Sequence, residues 1–243
     1  MWTIFKKEVN SFLSSLIGYI SIAVFLVILG LFVFVFADSS ILENKFATLA
    51  PLFDTAPLVF MFLIPAITMR LLAEEQQTGT IEFLATKPVR EIDIILGKYF
   101  AALALVLFAI LPTVLYYYTV YQLGLPKGNL DAGAILGSYL GLFLLAAIFA
   151  AVGIFASSLS SNQILAFLLA TFLCFMLYYG FYYFSKLPVF VGQLDDLIQK
   201  LGIDYHYNSI SRGIVDTRDL VYFFSVSILF LALTLFSLER RKW

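Results

Sequence analysis

The chain has 243 residues, of which 62% are hydrophobic and only 13% are charged, and its mean hydropathy is +0.96. A composition so poor in charge excludes an ordinary water-soluble domain and predicts an integral membrane protein. The net charge of −1 carries no message about partners, and the single cysteine, Cys174, excludes a disulfide framework within one chain.

The N-terminal segment carries apolar residues at spacings of three and four. These residues are Trp2, Phe5, Val9, Phe12 and Leu16. Because Lys6, Lys7 and Asn10 occupy other faces, the pattern predicts a short helix lying in the inner membrane interface. The alternative is a frayed polar start to the first membrane span.

Six apolar stretches follow, and we interpret each as a spanning helix of one transmembrane domain over residues 1–243. Inside hydrocarbon the backbone N–H and C=O groups must be satisfied within the segment, and a helix of about 20 residues achieves this. The long uncharged run from Ala132 to Ser185 must fold back, and we place its turn at the polar cluster from Ser157 to Gln163. The predicted spans lie near residues 17–37, 55–72, 97–121, 133–156, 164–184 and 220–238.

Basic residues are unevenly divided between the two faces that six spans create. One face holds Lys6, Lys7, Arg70, Lys87, Arg90, Lys98, Arg240, Arg241 and Lys242. The other holds Lys45, Lys127, Lys186, Lys200, Arg212 and Arg218. The positive-inside rule therefore predicts that both termini are cytoplasmic. The tyrosine clusters at the outward ends of the third and fifth spans agree, because amphipathic rings collect at the headgroup level.

Close helix packing is indicated in the fourth span, where Gly133, Gly137 and Gly141 recur every four residues. Small residues at this spacing allow two backbones to approach. We expect the partner to be a neighbouring helix of the same chain, and a dimer seam is the alternative.

The connection between the second and third spans is amphipathic and contains residues that interrupt helices. Gly79 interrupts the helix that leaves the membrane, and Pro88 precedes the next helix. Phe83 and Leu84 beside Glu82 predict a docking element, whereas an ordinary charged loop is the alternative. Glu74, Glu75 and Glu82 do not predict a metal site, because no histidine or cysteine is near them.

The segment between the fifth and sixth spans is too long for a simple hairpin. Apolar residues at helical spacing predict a short amphipathic helix that caps the outer end of the bundle. They are Val191, Leu194, Leu197, Ile198 and Leu201. His206, the only histidine, is interpreted as a hydrogen-bonded structural residue rather than a metal ligand.

No catalytic or cofactor motif accompanies these elements. The sequence contains no G-x-x-x-x-G-K-[ST] phosphate loop and no H-E-x-x-H, so we expect no enzyme activity, metal or cofactor in this chain. The uncharged spans disfavour an intramembrane enzyme and a proton relay, and favour a lipidic or bulky amphipathic cargo. We expect the lipid bilayer, and no nucleic acid, as a partner.

The connection that begins at Arg70 reads RLLAEEQQTGTIEFLATKP and is followed by Ile95-Leu-Gly-Lys98. With six spans, an interfacial helix and an outer re-entrant segment, it resembles the type 2 ABC exporter permeases over essentially the whole chain. The more specific motif is E-x-x-x-G-T-x-E, formed by Glu75, Gly79, Thr80 and Glu82. The stretch HYNSISRGIVDTRD from His206 and the tail from Glu239 most resemble the gliding-motility-associated permease subunits.

The resemblance implies that residues 70–98 couple the permease to a separate cytoplasmic ABC ATPase, which would bind and hydrolyse the ATP. The residues that it assigns to docking are Glu74, Glu75, Gly79, Thr80, Glu82, Phe83, Leu84 and Pro88. It also implies a bacterial inner membrane location and a translocation path shared with a second permease copy or a related membrane subunit. The competing hypothesis is a membrane scaffold of a motility or envelope complex that moves no solute.

Overall fold

The computed structural model describes residues 1–36, 39–44, 47–80, 90–190, 192 and 194–240. Within these residues it contains helices and no strand, which confirms the predicted all-helical class. We number the described α-helices in chain order. They are α1 (Trp2–Leu13), α2 (Leu16–Phe34), α3 (Ile41–Asn44), α4 (Ala50–Gln77), α5 (Glu91–Ile110), α6 (Val114–Leu123), α7 (Ala132–Leu159), α8 (Gln163–Phe175), α9 (Phe181–Ser185), α10 (Asp195–Gln199), α11 (Ile203–Ile210) and α12 (Thr217–Arg240).

Five helical segments among the described residues are long and apolar enough to cross a membrane. They are Ala50–Gln77, Glu91–Leu123, Ala132–Leu159, Gln163–Ser185 and Thr217–Arg240. A sixth is reached if Trp2–Leu13 and Gly18–Phe34, which are bent by 70° at their junction, count as one span. The helices alternate in direction, so α1 and residue 80 lie at one end of the bundle. We call this end the α1 face and the other end the opposite face.

Two of the spanning segments contain irregular turns. A 3-10 turn over Leu111–Thr113, with Pro112 inside it, separates α5 from α6. A π-helical turn over Met176–Gly180 joins α8 to α9. Proline lacks an amide hydrogen, which explains the first irregularity. In contrast, α4 continues as a helix through Pro57 and Pro65.

Helices α4 and α7 form the centre of the bundle. In the most apolar window of each helix, 72% of α4 and 83% of α7 are buried, compared with 22% of α12. At their contact the Ser157 hydroxyl donates to the Met69 carbonyl over 2.8 Å and accepts from the Leu72 amide over 3.1 Å. This interface is therefore hydrogen-bonded as well as packed, whereas α12 presents most of its apolar surface outward.

The predicted turn between the fourth and fifth spans is shorter than the polar cluster suggested. Ser157 and Ser158 lie inside α7 and are buried, so their assignment to the turn was wrong. The chain reverses at residues 160–162, where the Asn162 side chain accepts from the amides of Ile164 and Leu165 and caps α8. The Ser157 hydroxyl bonds backbone groups of α4, and the Ser158 hydroxyl donates to the Phe155 carbonyl of its own helix, so neither serine marks a turn.

The amphipathic cap on the opposite face is α11, not the segment that was predicted. Val191 of the predicted apolar stripe lies outside the described residues, and the rest of the stripe corresponds to α10 and its flanks. Helix α10 has only five residues and no buried side chain. In α11 the buried residues are Ile203, Tyr207 and Ile210, and the Tyr207 hydroxyl donates to the Phe53 carbonyl over 2.9 Å. Helix α11 forms the cap because it packs against α4 and α7. The helical spacing of apolar residues alone did not predict this.

The three glycines of the four-residue repeat in α7 differ in their surroundings. A Cβ atom added to Gly137 would lie 2.9 Å from the backbone Cα of Gly213, and one added to Gly141 would collide with Ile210. Only the side chain of Asp131, which caps the same helix, lies near Gly133. Gly141 thus faces the last residue of α11, and Gly137 faces the turn that follows α11 within the same chain.

Replacing Gly137 with leucine is expected to destabilise the protein by about 1–3 kcal/mol, because the new side chain would be forced against the backbone of Gly213. Thermal unfolding of the purified protein in detergent measures the effect. The matched control is Gly133→Leu in the same helix, which should unfold close to the wild-type temperature. Equal unfolding temperatures for both variants would contradict the close approach.

Candidate functional site

The residues that the sequence assigned to docking begin in the last turns of α4. Glu74 and Glu75 lie within α4, and the helix ends at Thr78, whose amide donates to the Glu74 carbonyl over 3.0 Å. Gly79 follows with a φ of +69°, a left-handed conformation that glycine adopts without steric cost. Thr80 is the last residue described before the gap. Glu82, Phe83, Leu84 and Pro88 lie outside the described residues.

Helix α1 packs on the start of α5 at the α1 face. A Cβ atom added to Gly97 would lie 3.0 Å from the Met1 carbonyl oxygen, so glycine lets α1 lie directly on α5. Phe12 is buried, and the Arg70 guanidinium lies 5.2 Å from its ring centroid. Trp2 is exposed at the other end of the helix. Helix α1 is therefore amphipathic, with one face on the bundle.

A buried lysine connects α1, α4 and α5. The Lys98 side chain is fully buried, and its ammonium nitrogen lies 2.8 Å from Glu8 Oε1 and 2.9 Å from Glu75 Oε1. It also donates to the Leu71 carbonyl over 2.5 Å. All three ammonium protons thus have acceptors, which offsets the cost of burying the charge.

Lys7 extends this group to the surface. Its ammonium nitrogen lies 2.9 Å from Glu75 Oε1 and 3.4 Å from Glu8 Oε1, and its side chain is 61% exposed. Burial acts to lower the pKa of Lys7, but the hydrogen bond to Glu75 and the charge of Glu8 outweigh it, so the pKa is raised. We call Lys7, Glu8, Glu75 and Lys98 the ion cluster, and its formal charges balance.

One oxygen of the ion cluster is without a hydrogen bond among the described residues. Glu75 Oε2 is buried and has no partner, whereas Oε1 is bonded to both lysines. Glu75 lines a cavity of about 150 Å³ together with Ser11, Arg70 and Thr80. A polar cavity of this size admits water, which can satisfy the oxygen.

The ion cluster is suited to holding segments together rather than to catalysis. The described residues contain no group of three or more histidine, cysteine, aspartate or glutamate side chains that could hold a metal ion. Each carboxylate of the cluster is bonded to lysine. The ion cluster joins the end of α4 to α1 and α5. This end of α4 adjoins the connection between the second and third spans.

Three members of the ion cluster, Lys7, Glu8 and Lys98, were not recognised as site residues from the sequence. Lys98 was counted as a surface charge, and the spans were expected to be free of ionisable residues, yet Lys98 is fully buried inside α5 and Asp54 lies within α4. One signal was available. Glu8 falls between Phe5 and Phe12 on the apolar stripe of α1, where a charge is costly unless it is paired.

Comparison with known proteins adds one finding. The model of the ABC-2 family transporter proteins matches residues 2–243, which is nearly the whole chain. No curated protein matches the chain.

Proposed function

Since the chain belongs to the ABC-2 family of transporter proteins, we propose that it is the membrane-spanning permease subunit of an ATP-driven exporter. The family match over residues 2–243 is the observation that carries this proposal. In this proposal a separate cytoplasmic ABC ATPase binds and hydrolyses ATP, and the present chain holds no cofactor. A second permease copy, or a related membrane subunit, completes the translocation path.

The connection spanning residues 70–98 is proposed as the element that docks on the ATPase. Its proposed contact residues are Glu74, Glu75, Gly79, Thr80, Glu82, Phe83, Leu84 and Pro88. The position of the ion cluster supports this role. Because Lys98 bonds to both Glu8 and Glu75, a push on the end of α4 is passed to α1 and α5 together. Such a joined set of helices moves as a rigid element between two arrangements.

The proposed location is the bacterial inner membrane, with both termini and the ion cluster on the cytoplasmic side. The uneven distribution of basic residues between the two faces supports this orientation. Reporter fusions at Lys127 and Lys200 should read as external and a fusion at Lys87 as internal. An internal signal at Lys200 would reverse the orientation.

A narrower proposal links the exporter to gliding motility. It rests on the resemblance of the stretch that begins at His206 and of the tail that begins at Glu239. The competing function is a scaffold that moves no solute. Reconstitution with the ATPase separates the two, because a transporter's ATPase activity should rise with its cargo and a scaffold's should not.

The docking proposal predicts that Phe83→Ala and Glu82→Lys each weaken co-purification of the ATPase. An apolar anchor in an interface commonly costs about 2 kcal/mol or more when truncated, which is roughly a thirtyfold loss of affinity. Affinity capture of the ATPase from detergent-solubilised membranes measures the loss.

The matched control is Leu125→Ala, which truncates an exposed apolar residue on the opposite face. It should capture the ATPase at the wild-type level, and all variants should insert and elute as the wild type does. Capture at the wild-type level by both docking variants would refute the docking assignment.

A further inference from the structure

A cavity opens on the opposite face, between α9, α11 and the start of α12. Its volume is about 720 Å³. It is lined by tyrosines and by charged residues of both signs, among them Lys200, Asp204, Tyr205, His206, Arg212 and Arg218. This cavity is far from the ion cluster and is not used by the proposed coupling.

The carboxylates of this cavity are engaged within the protein. Asp204 accepts from the Asn208 side chain over 2.9 Å. Asp216 accepts from the Arg218 amide over 2.9 Å at the start of α12. Asp219 lies 2.7 Å from His206 Nδ1. Each of these carboxylates thus has a hydrogen-bonding partner within the protein.

His206 lies at the wall of the cavity, and both of its ring nitrogens are in hydrogen-bond contact. Its Nδ1 lies 2.7 Å from the Asp219 carboxylate, and its Nε2 lies 2.9 Å from the Lys200 carbonyl oxygen. The ring is stacked on Tyr222 at a centroid distance of 3.9 Å. Asp219 therefore has its partner within the protein.

The basic side chains, in contrast, have no acidic partner. Within the part of the chain that the structure describes, Lys200, Arg212 and Arg218 form no salt bridge. Asp54 lines a second cavity together with Arg212 but is not in salt-bridge contact with it. The three basic side chains are therefore free to pair with an anion, while Asp219 faces His206 and the other two carboxylates accept hydrogen bonds from amide groups.

The convergence of these cations is unusual for this side of a membrane protein. Basic residues are depleted from external segments by the positive-inside rule, yet three of them line one cavity. Arginine forks bind phosphate oxygens bidentately, and two arginines are present. Tyr182 and Tyr205 are half-exposed at the same cavity, as expected for rings near lipid headgroups.

We propose that this cavity binds a phosphate group, through Arg212, Arg218 and Lys200. The phosphate is carried either by a phospholipid headgroup or by a soluble phosphate ester. Binding at this site requires no nucleotide hydrolysis, so the proposal stands or falls independently of the coupling to an ATPase.

The test uses the full chain in an uncharged detergent and measures binding by native mass spectrometry. The probes are dioctanoyl phosphatidylglycerol, glycerol 1-phosphate and the uncharged dioctanoylglycerol. We expect retention of phosphatidylglycerol over dioctanoylglycerol. Additional binding of glycerol 1-phosphate would identify a site for soluble esters, and its absence would identify a site for lipid headgroups.

Arg212→Gln and Arg218→Gln are each expected to weaken phosphatidylglycerol binding roughly tenfold, because each removes a charge-assisted hydrogen bond. Both arginines are exposed, so both variants should fold. The matched control is Lys127→Gln, an exposed basic residue of the same face outside the cavity, which should bind as the wild type does. Equal retention of charged and uncharged lipid, or equal loss in all three variants, would overturn the proposal.

Discussion

Replacing Lys98 with methionine is expected to lower the free energy of unfolding by about 3–5 kcal/mol. The ammonium group of this fully buried side chain is bonded to Glu8 and Glu75 at 2.8 and 2.9 Å. Methionine fills a similar volume but leaves two buried carboxylates with only the exposed Lys7 as their cation. Titration with a denaturing detergent, followed by circular dichroism, measures the change.

Lys7→Met is the matched control, because Lys7 bonds to the same two carboxylates from a side chain that is 61% exposed. An exposed ion pair contributes about 0–1 kcal/mol, so this variant should be much less destabilised. Combining Lys98→Met with Glu8→Gln and Glu75→Gln should recover most of the loss, since no uncompensated charge is then buried. A Lys98→Met variant as stable as Lys7→Met would show that the cluster does not hold α1 to the bundle.

Gly153→Leu is expected to destabilise the bundle by about 3 kcal/mol, the upper end of the usual cost of overpacking. A Cβ atom at this position would lie 2.9 Å from the Thr68 Cβ and would collide with its hydroxyl oxygen. Thr68 is fully buried and bonded to the Ile64 carbonyl over 2.9 Å, so it has little room to move. Thermal unfolding in detergent and the elution volume on size exclusion report the damage.

Gly133→Leu serves as the control in the same helix, because Gly133 is exposed and touches no other helix.

A smaller side chain at Gly153 gives a second test of the same contact. Gly153→Ala should be destabilised by about 1 kcal/mol or more, and adding Thr68→Ala should recover part of that loss by making room for the new methyl group. Wild-type stability of Gly153→Leu would mean that α4 and α7 separate at no cost.

The sequence did not predict a packing or docking role for either Lys98 or Gly153. The glycine repeat of α7 drew attention to Gly133, Gly137 and Gly141, whereas the glycine of α7 that lies directly against another spanning helix is Gly153. A four-residue repeat identifies a face of a helix, but the repeat does not say which neighbour lies on that face. Here Gly137 and Gly141 meet the segment between the fifth and sixth spans, and Gly153 meets α4.

The connection between the second and third spans illustrates the same division. The sequence predicted that the helix ends at Gly79, before Thr80, because helix termination depends on local backbone preferences. The sequence did not predict that Glu75 is buried beneath α1. It depends on Glu8 and Lys98, which are 90 residues apart in the chain.

The sequence by itself determined the class of the protein, its helical content and the approximate position of its apolar stretches. These properties follow from local composition, because a backbone in hydrocarbon must satisfy its hydrogen bonds within each segment. Only the tertiary structure decided which charges are buried together, which glycine brings two spans into contact and which short helix caps the bundle. Those outcomes depend on pairing across distant parts of the chain, where the energy of a buried charge or a close contact is set by a partner that no local spacing specifies.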